Sequence, residues 1–221
     1  MGTITRTFAN NITTSGVFKP TAFNNASFDN VTSVPEGAVE GGNMVLLSTQ
    51  TASASSSISF TTGIDSTYKE YMFIFNNIHP SDDAQFQFNL STDGGSNYNV
   101  TKTTTAFNAY HTEADTETSL AYQATGDLAQ STSYQRIVGT IYGSSGNNDD
   151  CVSGTLHLFE PSSTTYVKHF MSSVSAMSNG TLMINQFMAG YGNTTSAINA
   201  IDFKFISGNI DDGTIQMFGI L

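Results

Sequence analysis

The feature that most constrains this chain is the recurrence of short apolar runs with a period of two, cut by turns rich in Gly, Asn and Asp. Phe86, Phe88 and Leu90 alternate with Gln87 and Asn89, and Thr92-Asp93-Gly94-Gly95-Ser96-Asn97 follows at once. Ile201, Phe203 and Phe205 alternate with Asp202 and Lys204 before Ser207-Gly208-Asn209. Successive side chains of a strand point to opposite faces, so each run predicts a strand with one core face and one wet face. Glycine accepts the positive φ of the tight turns between them.

Further runs extend the pattern. Strands are expected at Met44–Leu47, Ile58–Thr61, Tyr68–Phe75, Tyr98–Thr105, Ser133–Tyr142, Val152–Phe159, Tyr166–Val174, Thr181–Met188 and Thr214–Leu221. Turns are expected at Asn76–Asp83, at Ser178-Asn179-Gly180 and at Gly190–Asn193. The stretch Ala106–Gln130, with Glu113, Asp115 and Glu117, lacks period-two apolarity and is expected to be an exposed excursion with one helical turn. Short strands with turns this frequent predict an all-β fold, an antiparallel β-sandwich or jelly roll. The first 43 residues differ. Their apolar residues (Phe8, Val17, Phe18, Phe23, Phe28) are scattered among Asn and Thr pairs, and Glu40-Gly41-Gly42-Asn43 reads as a hinge. The chain therefore divides into an extended arm over 1–43 and a β-sandwich over 44–221.

Charge narrows the partners. Only 11% of residues are charged, and 18 acids against 7 bases leave a formal net charge of -11. Nucleic-acid binding needs clustered Lys and Arg to displace counterions, and an anionic membrane surface needs the same, so neither partner is expected. A single cysteine, Cys151, excludes an intrachain disulfide, so stability must come from burial and pairing. Met1–Asn10 holds no apolar leader core, and no run approaches the ~18 apolar residues of a membrane helix.

The sequence offers little to catalysis. His79, His111, His157 and His169 show no metal-ligand spacing with one another or with Cys151. The acid pairs Asp82-Asp83, Asp149-Asp150 and Asp211-Asp212 lie in predicted turns, where Asp caps backbone amides. None has the spacing of an EF-hand loop. Two separated acids could serve a glycosidase, but a sugar cleft would be expected to hold Trp, and the chain has none. No Gly-X-Ser-X-Gly elbow is present, and the Gly-rich stretches lack the Lys-Ser/Thr of a phosphate loop. Acids beside Cys151 raise a thiol's pKa rather than activate it. No enzyme activity, cofactor or metal is expected. The candidates for surface recognition are Tyr98, Tyr110, Tyr142 and Tyr191, placed in or near predicted loops, because Tyr joins a flat apolar face to a hydroxyl.

Two segments carry a resemblance. The hairpin Leu90-Ser91-Thr92-Asp93-Gly94-Gly95-Ser96-Asn97-Tyr98 and the closing segment Ile201–Ile220, which ends in Gly-Thr-Ile-Gln-Met-Phe-Gly-Ile, resemble virion surface proteins of phages. The similarity is to the tail-fibre and capsid-fibre proteins of marine and cyanobacterial phages. It implies a structural virion protein (tail fibre, capsid fibre, spike or decoration), assembled in the host cytoplasm. It also implies a homotrimer, with residues 1–43 anchoring to other virion proteins and the body meeting a host-surface glycan or protein. The alternative is a carbohydrate-binding β-sandwich module without catalytic activity.

Overall fold

The structure, a computed structural model, describes residues 43–143 and 149–221. The expected arm over 1–43 lies outside these residues except for Asn43, as do residues 144–148 of the loop between β7 and β8. The described residues form twelve strands and no helix. These are β1 (Met44–Thr51), β2 (Ile58–Phe60), β3 (Glu70–Pro80), β4 (Ala84–Ser91), β5 (Lys102–Thr112) and β6 (Thr118–Tyr122). The second half adds β7 (Gln135–Ile141), β8 (Val152–Phe159), β9 (Lys168–Ser178), β10 (Leu182–Gly192), β11 (Ala200–Phe205) and β12 (Ile210–Ile220).

Two antiparallel sheets result. The larger has the order β1-β12-β3-β8-β9-β10-β5-β6, and the smaller β2-β11-β4-β7. The sandwich expected from the alternation is therefore present. Its core forms where the inward positions of the two sheets meet. Phe86, Phe88 and Leu90 of β4 and Ile201, Phe203 and Phe205 of β11 are all buried. Opposite them lie Tyr71, Phe73 and Phe75 of β3, Leu156 and Leu158 of β8 and Phe170 of β9. Phe203 is the hub, with ring centroids 5.4 Å from Phe73 and 5.2 Å from Phe75. It also lies 6.3 Å from Phe60 and 6.1 Å from Phe86. The pairs with Phe60 and Phe75 are edge-to-face, an arrangement that adds about 0.5–1.5 kcal/mol each beyond area burial.

Several sequence expectations change, and Asp211-Asp212, expected in a turn, lie in β12. The 106–130 stretch is not a helical excursion: β5 runs on to Thr112 and β6 pairs with it, from Phe107↔Tyr122 to His111↔Thr118. The strand expected to stop at Phe75 continues as β3 to Pro80, through an irregularity in its pairing with β12. Gly190-Tyr191-Gly192 is strand rather than loop. A Cβ on Gly190 would sit 2.5 Å from Thr104 Cγ2, so glycine is what lets β10 lie close against β5 here. Finally, Asp202 points away from the core as expected but is only 3% exposed. Its carboxylate accepts from the Ser59 hydroxyl (2.5 Å) and the Tyr134 hydroxyl (2.9 Å), and Lys204 Nζ sits 4.1 Å from the centre of the Tyr134 ring.

Candidate functional site

The outward face of the larger sheet is the surface that its strands leave unexplained. Antiparallel register aligns side chains into rows across the strands. One row crosses all eight strands as Thr49, Gln216, Ile74, Thr155, Ser173, Phe187, Phe107 and Tyr122. The next crosses seven as Leu46, Phe218, Met72, His157, Met171, Ala189 and Thr105. Neither row contains a carboxylate, Lys or Arg. Its one imidazole, His157, is matched by Glu70, with Nδ1 2.5 Å from Oε1. Leu120 is 73% exposed, Met171 56% and Tyr122 55%. Phe107 and Phe187 stack in the open, with ring centroids 5.0 Å apart and planes 14° apart. Isolated exposed apolar residues are ordinary, whereas a contiguous face of them marks an interaction surface.

Relief within this face is specific. Between β9 and β5 the small residues Ala189 and Gly190 floor a depression of about 520 Å³, walled by Phe159, His169, Met171 and Tyr191 on one side and Thr103 and Thr105 on the other. Beside it stands β6, an edge strand whose Leu120 projects beyond the sheet. The Tyr122 hydroxyl bonds Asp127 from the following loop, which fixes that ring at the rim.

A second hollow, of about 470 Å³, is polar. It gathers Asn77, His79, Cys151, Asp149, Asp211 and Asp212. Asp211 Oδ1 lies 2.6 Å from His79 Nδ1, while the buried Nε2 has no partner. A carboxylate, an imidazole and a thiol thus share one hollow, but the thiol is in the wrong state for a nucleophile. Burial pushes the Cys151 pKa up, and Asp150 and Asp149 push it further in the same direction. The acid pairs serve the backbone: both oxygens of Asp150 accept from Gly180 N–H, and Asp212 accepts from Gly213 N–H. Among the described residues no group of three or more His, Cys, Asp or Glu is arranged to hold a metal ion.

Two lysines are buried where β5, β10 and β9 end together. Gly192 pairs with Lys102 on one side and Lys168 on the other. Lys102 Nζ donates to Asn89 Oδ1 (2.5 Å) and to the Val100 carbonyl (2.7 Å). Lys168 Nζ donates to the Tyr166 carbonyl (2.6 Å). No carboxylate meets Lys102, and burial lowers its pKa to about 7. The lysines tie loops to the sandwich end.

The four tyrosines singled out from the sequence do not share a surface. Tyr98 lies over Gly95 with its hydroxyl buried and unpartnered. Tyr110 pairs with the buried Ile184 and packs on the core. Tyr142 follows β7, half-exposed. Tyr191 alone stands on the apolar face, its ring centroid 6.1 Å from that of His169. Phe107, Leu120, Met171 and Phe187 escaped the sequence reading. Their signal was apolar residues at both parities within one strand, as in Leu182-Met183-Ile184 and Phe187-Met188.

No protein-family model, curated protein or solved structure matches this chain.

Proposed function

We propose that this chain is a non-enzymatic structural protein of a virus particle's surface, a fibre, spike or decoration that works as a homotrimer. The observation that carries the assembly role is the exposed apolar patch on the outward side of β9, β10, β5 and β6, formed by Met171, Phe187, Phe107, Leu120 and Tyr122. A disulfide-free sandwich with such a face gains by meeting another surface, and oligomers do this with closed symmetry. The virion placement rests on the resemblance of the Leu90–Tyr98 hairpin and the Ile201–Ile220 ending to phage fibre proteins. Residues 1–43 would then attach the body to other virion proteins, and copies on the particle would multiply weak contacts with a host-surface glycan or protein.

The test is immunogold labelling of purified particles from an infected culture that expresses the chain. Antibody against residues 43–221 should decorate intact particles at regular positions. Label confined to the soluble fraction of the lysate overturns the virion reading.

A further inference from the structure

We infer that the outer face of the larger sheet is where copies of this chain meet in the homotrimer, head to tail: the projecting β6 residues of each copy enter the depression over Ala189 and Gly190 of the next, and three such contacts close a ring. This deepens the homo-oligomer reading above and does not depend on a place in a virion.

Three observations choose a second copy over another occupant. The first is charge. Two identical chains at -11 repel, so contact between them costs least where neither presents an unpaired acid. The acids outside the strands (among them Asp65, Asp93, Glu113, Asp115, Asp127 and Glu160) occupy connections. The two central rows of the face hold none, and Glu70, which stands beside them on β3, is taken up by His157. A basic partner would instead be drawn to those acidic loops and would find no counter-charge on these rows.

The second is shape. A contact between copies of one chain requires knob and hole on the same molecule. Here they are two strands apart on one face: Leu120 on β6, and the depression floored by β10. The depression is lined chiefly by carbon, and Leu120 is the most exposed of the large apolar strand residues near it.

The third is size. Eight strands at ~4.8 Å spacing span about 34 Å, and three same-face positions along each cover about 20 Å. A face of roughly 700 Å² is close to the ~800 Å² that each partner gives to a standard interface.

The experiment is multi-angle light scattering of the full chain beside three variants. Leu120→Glu puts a carboxylate on the knob, Ala189→Phe fills the hole, and Gln87→Glu adds the same charge to the outward side of the other sheet. Leu120 and Ala189 both point away from the core, so circular dichroism should show unchanged strand content in each. The expected result is an oligomeric wild type and an oligomeric Gln87→Glu. Leu120→Glu and Ala189→Phe should each lose about 30-fold or more in affinity, as for a hot-spot residue. An oligomer that withstands both face variants overturns this surface and leaves the homo-oligomer reading standing. A monomeric wild type overturns both, and gives the face to another protein or another segment of the chain.

Discussion

Phe203 shows how much one residue carries here. It sits on the short β11 yet touches rings from both sheets, so it joins the two layers rather than stabilising one. Phe203→Ala should cost about 3–5 kcal/mol, from lost burial plus the cavity left behind. Urea denaturation should show the midpoint shift with little change in slope; a loss under about 1 kcal/mol would mean the layers are held elsewhere. Lys102 is the second telling residue. Its folded pKa of about 7 lies well below the ordinary lysine value. Between pH 7 and 10 the unfolded chain therefore holds a proton that the folded chain has released, and stability rises with pH over that interval. Lys168, lowered in the same direction, adds to the rise. Below about pH 7 the slope from Lys102 vanishes, because both states are protonated. Cys151, raised by burial, works the other way once the unfolded thiol ionises, so the clean window is about pH 7 to 8.5. Thermal unfolding should show a midpoint that climbs across this window in wild type and climbs much less in Lys102→Met. Equal slopes in both proteins would contradict a near-neutral Lys102.

At the scale of the strand, what could be read in advance follows from what faced the core. β4 and β11 were legible with their faces, because large apolar residues alternate with polar ones and a turn follows each. β8 was legible to its ends for the same reason. β5 was not, because its inward positions include Lys102 and Thr104, buried through hydrogen bonds to Asn89 and Gln135 rather than by being apolar. β6 was not, because its apolar residues face out. The candidate face suffered likewise: periodicity reports which residues are apolar, but a second apolar face has no mark saying whether it meets the core or the outside. The β3–β12 irregularity has a local cause. Gly213 has φ +108°, and a Cβ there would lie 2.5 Å from the Asn77 carbonyl oxygen. Gly213→Ala should lower stability by about 1–3 kcal/mol, through strain at a backbone that cannot give way. An alanine variant as stable as wild type would show that the strands re-register freely.

On the scale of the whole molecule, a charge-poor sandwich carries an exposed apolar patch on its larger sheet. Among the described residues most acids lie in the connections, with Glu70, Asp202, Asp211 and Asp212 on strands. Association through the patch should be driven by apolar burial, so raising the salt should leave it intact or tighten it, because screening only removes the repulsion between like charges. The central claim is that this chain works as an assembly of copies. Sedimentation equilibrium of the full-length protein at neutral pH tests it most directly. A single species at three times the 23.6 kDa chain mass is the predicted result. A monomer that persists across the accessible concentration range would contradict it.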